Sequence, residues 1–148
     1  MRLTRFTDYA LRTLIYVGVR SPQLCSIKQV AERYGLPQSH LTKIVHELGR
    51  KGYLETVRGR GGGMRLGREA DQINLGQVVR DLEPDFNLVE CFGPAKDNCC
   101  IEPVCSLGPI LEEALAKFFS VLDQHTLEDL LASKRLLAEL LAISTENA

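Results

Sequence analysis

The chain is 148 residues long, and none of its apolar runs approaches the roughly 18 residues a membrane-spanning helix needs. Residues 1–19 have a basic end and an apolar middle, but Asp8 and Arg12 interrupt them and no small-residue cleavage site follows. A secretory signal is therefore not expected, nor any membrane partner, and the cytoplasm is the expected compartment. No Gly-Lys-Ser or Gly-Lys-Thr ending follows the glycine-rich stretch, which argues against a nucleotide-phosphate cradle. No Cys-x-x-Cys knuckle occurs, so the usual structural zinc spacing is missing. No Ser/His/Asp or paired-carboxylate arrangement suggests a catalytic pocket, and a protein that is not an enzyme is expected. What remains is ordinary globular composition, 45% hydrophobic and 25% charged, with a core of useful size.

The near-zero net charge of −1 hides an uneven distribution. Residues 1–68 carry 13 Lys or Arg against four acids, a net of +9, while the other 80 carry five bases against 15 acids, a net of −10. A basic half that meets a polyanion, joined to an acidic half with another task, accounts for this split. Docking of two oppositely charged faces on one another is the alternative. Cysteine is equally lopsided: Cys91, Cys99, Cys100 and Cys105 fall within fifteen residues, and Cys25 stands alone. In a reducing compartment such a cluster suggests a metal or redox site rather than a disulfide framework.

Hydrophobic spacing predicts a first helix over Thr7–Val19, ended by Ser21-Pro22-Gln23. Ser26 is suited to cap a second helix through Arg33, with Ile27, Val30 and Ala31 inward and Gly35 closing it. Pro37 opens a third, Gln38–Arg50, whose Leu41, Ile44, Val45 and Leu48 form one stripe. Tyr53–Val57 and Met64–Leu66 are predicted strands around Arg58-Gly59-Arg60-Gly61-Gly62-Gly63, a hairpin with a cationic tip. A short helix follows at 73–82, packing through Ile73, Val78, Val79 and Leu82. Leu88–Gly108, with Pro94 and Pro103, is too irregular for regular structure. From Pro109 a helix carries an apolar band, Ile110 to Leu122, wider than a small domain needs. Thr126 is placed to cap a leucine-rich last helix, with Ser144–Ala148 a frayed end.

Three helices and a two-stranded ribbon, in that order, define a mainly α fold of winged helix-turn-helix type. Gln38, Ser39, His40 and Lys43 on the third helix, with Thr42 beside them, have the hydrogen-bonding capacity that base and phosphate contacts require. Arg58 and Arg60 on the wing are the matching cations. Together with the +9 charge they point to double-stranded operator DNA. The expected division is a DNA-binding unit at 1–68, a linker helix and cysteine-rich loop at 69–108, and a dimerisation helix with a C-terminal helix at 109–148. A second copy of the chain is the natural cover for the apolar band.

The cysteines are separated by seven residues (Cys91 to Cys99) and by five (Cys99 to Cys105), with Cys100 beside Cys99. Three spaced thiols suit an iron–sulfur cluster, which takes thiolates at several corners. Spacing alone leaves zinc and a redox disulfide open. Asp8 reads, by itself, as a first-turn acid favourable to the helix dipole. Cys25 reads as a half-buried small hydrophobe, His46 as a helix-face residue and His125 as a loop residue.

The opening Met1–Arg12, the wing Val57–Gly67, the Val79-Arg80-Asp81-Leu82-Glu83 segment and the triple-cysteine loop together resemble the Rrf-type bacterial winged-helix repressors, in particular their nitric-oxide-sensing branch. The likeness runs from residue 1 to about 130. It implies a homodimeric repressor with a 4Fe-4S cluster, a 2Fe-2S cluster being the alternative. The implied ligands are Cys91, Cys99 and Cys105, with Asp8 contributed by the partner subunit. Cys100 departs from the branch's pattern and is the substitute for Cys99, which is preferred because its gap to Cys105 matches. Another branch places a histidine just after the third cysteine, where this chain has Gly108 and Pro109. Alternatives are control by zinc or thiol oxidation, a redox regulator of that other branch, or, in a different class, an electron carrier or protein-interaction module.

Overall fold

In a computed structural model of the chain, the described residues are 2–93 and 99–143. Pro94 and the frayed end expected at Ser144–Ala148 lie outside them. Helix α1 (Arg5–Arg20) is the axis of the fold. Ala10, Leu14 and Val17 recur at helical spacing and are wholly buried, so one stripe of α1 receives the other elements. Full burial of each Leu or Val is worth roughly 1.5–3 kcal/mol.

Helix α2 (Ile27–Tyr34) starts in a capping box: the Ser26 hydroxyl accepts from Gln29 N–H, and the Gln29 side chain accepts from Ser26 N–H at 2.8 Å. Gly35 ends it with φ +63°, a left-handed conformation that glycine adopts without strain. Helix α3 (Gln38–Arg50) buries Leu41, Ile44, Val45 and Leu48, as its stripe predicts. Strands β1 (Leu54–Val57) and β2 (Gly63–Leu66) pair antiparallel, Leu54 opposite Leu66 and Val57 opposite Gly63. Cys25 also bridges Met64, bonding through both backbone groups at 3.0 and 2.8 Å. The wing is thus tied to the segment ahead of α2, a pairing with no sequence pattern to announce it.

Helix α4 (Leu75–Leu82) is capped by Asn74. Among the described residues, 3-10 turns at Glu90–Phe92 and Glu102–Val104 follow it, and then α5 (Leu107–Leu122). The latter starts two residues before Pro109, which lies in the first turn where its missing N–H is harmless. α5 is anchored near its C-terminal end, where Phe119 is its one buried residue and Arg80 binds Asp123 bidentately at 2.6 and 2.8 Å.

One leucine-rich helix is expected after Thr126; the structure has two short ones, α6 (Leu127–Leu130) and α7 (Lys134–Leu140). The break lets Leu127, Leu131, Ala138 and Ile143 all join the core around α1, which a straight rod would not allow. Gly18 makes room for this return, since a Cβ there would lie 2.6 Å from Leu131 Cδ1.

Candidate nucleic-acid interface and cysteine cavity

The outer face of α3 presents Gln38, Ser39, His40, Thr42 and Lys43, all exposed. The Thr42 hydroxyl donates to its own helix, at Gln38 O (3.0 Å), which turns it from a free donor into a partly committed one. The wing tip, residues 58–62, holds Arg58 and Arg60 in solvent, with Gly59 and Gly61 at positive φ. Arg65 is taken by Glu55 across the ribbon at 2.9 Å, so Arg58 and Arg60 are the wing's uncommitted cations among the described residues. Recognition helix and wing belong to one rigid core, through Ile44 and Leu48 on one and Met64 on the other.

The second feature is a cavity of about 550 Å³ between the cysteine segment and the N-terminal half of α5. Cys91, Cys99 and Cys105 line it, all half-buried, although they come from three separate stretches of chain. Cys100 is exposed and off the wall. Phe86, Asn87 and Phe92 form one side; Gly108, Pro109 and Leu115 form the helix side. Glu102 and Glu112 also reach it, two carboxylates whose proximity only the folded loop reveals. Among the described residues no three His, Cys, Asp or Glu side chains sit close enough to hold a single metal ion. Thiolate is the ligand that iron–sulfur clusters take, so the three cysteines that line the cavity are the residues that could hold one.

Asp8 does not line this cavity. It lies in the first turn of α1, half-exposed, and accepts from Arg12 Nε at 3.0 Å. A carboxylate there completes no set with the three thiols of its own chain. Cys25 is 2% exposed, and burial pushes its thiol up to about 11, against a smaller opposing pull from Arg20. It is a packing residue, more buried than its sequence context suggests. His46 is exposed, and His125 Nδ1 sits 3.2 Å from Asp129 at the head of α6.

The Val79–Glu83 segment is a junction. Val79 and Leu82 are buried, Arg80 binds Asp123, and Asp81 receives Tyr53 OH at 2.7 Å, Lys51 Nζ at 3.4 Å and Gln77 Nε2 at 3.2 Å. Burial pushes the Asp81 carboxyl up, but the hydrogen bonds from Tyr53 and Lys51 outweigh it and hold the group below its ordinary value. Glu83 reaches Thr4 at the cap of α1. The sequence marks these residues by resemblance; the structure gives each its partner.

An exposed polar recognition helix, a cationic wing and a shared core define a winged-helix, DNA-binding transcriptional regulator. Residues 3–133 match the family model for Rrf2, described as iron-dependent transcriptional regulators, and the chain belongs to that family. The HTH-type transcriptional regulator NsrR of Bacillus subtilis is 50% identical over 142 residues, covering 95% of this chain and 97% of that one. The NsrR of Oceanobacillus iheyensis is 46% identical, covering 97% and 98%. Among solved structures, IscR of T. potens has the same fold at a TM-score of 0.72, with 24% identity, 90% of this chain covered and 88% of that one. CymR, the global cysteine regulator of B. subtilis, has a TM-score of 0.67 at 28% identity, with 90% and 98% covered. No helix among the described residues is long and apolar enough to cross a membrane.

Proposed function

We propose that this regulator is a homodimeric, cytoplasmic repressor whose hold on its operator depends on a 4Fe-4S cluster that senses nitric oxide. The observation that carries the reading is the shared cavity of Cys91, Cys99 and Cys105, with Cys100 outside it. The NsrR relatives, at up to 50% identity over nearly the whole chain, support the same assignment. The proposed division of labour is DNA reading by 1–68, cluster binding by 69–108 and subunit pairing by 109–148.

When bound, the cluster supplies an iron with one exchangeable position, to which a diatomic such as nitric oxide can add. Thiolates from Cys91, Cys99 and Cys105 would hold the cluster in this chain. Asp8 of a second copy would provide a carboxylate oxygen, a hard donor beside three soft ones and so the weakest link. Arg12 gives that carboxylate a ready alternative partner on its own helix, which lowers the cost of letting go. The exposed apolar side chains of α5, Leu107, Ile110 and Val121, are suited to bring the second copy alongside. Because α1 carries both Asp8 and the stripe that supports α3, a change at Asp8 acts on the placement of the recognition helices. Two such helices must match major grooves roughly 34 Å apart, so a small rotation suffices to lose one half-site.

Anaerobic reconstitution with ferrous iron and sulfide tests the ligand set. Wild type is expected to gain broad visible absorbance with matching iron and sulfide content. Cys91→Ala, Cys99→Ala and Cys105→Ala lose it while remaining folded; Cys100→Ala and Cys25→Ala keep it. A colourless, zinc-retaining wild type, or loss in Cys100→Ala with retention in Cys99→Ala, overturns the assignment. Loss in Glu112→Ala with retention in Asp8→Ala moves the fourth ligand into the same chain.

A further inference from the structure

We propose that the cleft between the N-terminal halves of α1 and α3 is a seat for a backbone phosphate of duplex DNA, with Arg5 as its unassigned principal contact beside His40 and Lys43. The cleft has a volume of about 270 Å³ and is lined by Arg5, Phe6 and Tyr9 of α1 and by His40, Lys43 and Ile44 of α3. Arg5 and Phe6 lie four and three residues before Tyr9, and His40 lies three and four residues before Lys43 and Ile44, so each helix offers the cleft one face. Ile44 at the base is 1% exposed and belongs to the core, which fixes the spacing of the two walls.

The cleft collects basic side chains that no carboxylate among the described residues pairs, as the wing does with Arg58 and Arg60. Arg12, Arg50, Arg65 and Arg80 are each committed to a carboxylate. Among the described residues Arg5, His40 and Lys43 have no such partner, and no acid lines the cleft. Gathering unneutralised basic side chains around one pocket costs free energy through mutual repulsion, and an anion entering it returns that cost. A phosphate diester suits the site: guanidinium offers a planar two-pronged donor, ammonium a point charge. The cleft adjoins the recognition helix, so the phosphate is one flanking the groove that α3 enters. This assigns Lys43 and His40 to the backbone and leaves Gln38 and Ser39 as the base-edge candidates of α3. Phosphate contacts fix register and orientation without reading sequence.

The inference rests on the DNA-binding reading, and its test keeps the two apart. The full chain, with and without iron, is titrated with a duplex selected for tight binding from a random pool and with an unrelated duplex of equal length, over a range of salt. A wild type that binds neither duplex sinks the functional reading before any variant is compared. Given wild-type binding, Arg5→Ala is expected to weaken both duplexes by one factor, about three- to tenfold, and to flatten the slope of log K against log salt by about 0.9. Arg5→Lys recovers most of that loss, and circular dichroism checks that both variants are folded. Unchanged affinity in Arg5→Ala, or weakening confined to the selected duplex with the slope unaltered, overturns the seat. So does millimolar inorganic phosphate that displaces neither duplex yet protects wild type, and not Arg5→Ala, against heating: the cleft would then hold a free anion.

Discussion

Glu83 Oε1 accepts two hydrogen bonds from Thr4, from its backbone N–H at 2.8 Å and from its hydroxyl at 3.1 Å. With its proton committed to Glu83, the Thr4 oxygen is oriented to accept from Thr7 N–H at 3.3 Å and so to cap α1. The residue that ends α4 thereby sets the start of α1. Pro84 to Phe86 then lead from this junction to the wall of the cysteine cavity. Glu83→Ala should cost about 1.5–3 kcal/mol, the range for hydrogen bonds to a charged group, and Glu83→Gln distinctly less. Urea unfolding of the two variants checks this; equal stability in both would remove Glu83 from the junction.

Acid should weaken the same junction. Hydrogen bonds hold the folded Asp81 carboxyl below its ordinary value, so its contribution is complete above that ordinary value and is lost as pH falls through the depressed one. The expected loss therefore lies below about pH 4. Tyr53→Phe removes the 2.7 Å hydrogen bond, lowers stability at neutral pH by about 1.5–3 kcal/mol and makes the remaining stability less sensitive to acid. Parallel urea titrations at pH 7 and pH 3 give the comparison.

Much of the fold is legible in the sequence, for a physical reason: short-range signals dominate it. The Leu41, Ile44, Val45, Leu48 stripe, the Ser26 cap, Gly35 and the Arg-Gly tip each act within a few residues, and each stands where the spacing puts it. What is not legible depends on distant chain. The last helix is broken because Leu127, Leu131, Ala138 and Ile143 must all reach α1, a demand no local window contains. The three cavity cysteines can be named from family resemblance, but Glu102 and Glu112 beside them cannot, since the fold of the loop brings them there. Arg5 is silent in the sequence because a lone basic residue at a helix start carries no pattern.

The cysteines should separate by reactivity. With its thiol pushed up to about 11 and 2% of its surface exposed, Cys25 is less than about one part in a hundred thiolate at pH 8. Native iron-free protein treated with a thiol alkylating agent at that pH should label Cys91, Cys99, Cys100 and Cys105 and spare Cys25 until urea is added. Mass spectrometry of the peptides reads this directly. Early labelling of Cys25 would contradict its place in the core.

On the wing, Arg58→Ala combined with Arg60→Ala should weaken DNA binding and flatten the log K against log salt slope by about 0.9 for each phosphate that is no longer neutralised. Weaker binding with an unchanged slope would show that the wing reads bases or groove shape instead.

The most direct test of the central claim is an anaerobic titration of the cluster-loaded protein with nitric oxide, following visible absorbance and operator binding in one sample. The account predicts tight binding by the intact form and a fall of about 5- to 150-fold, the usual span of coupling between two sites, in step with the spectral change. Binding that survives complete reaction, or cluster-free protein that holds the same operator equally well, would contradict it.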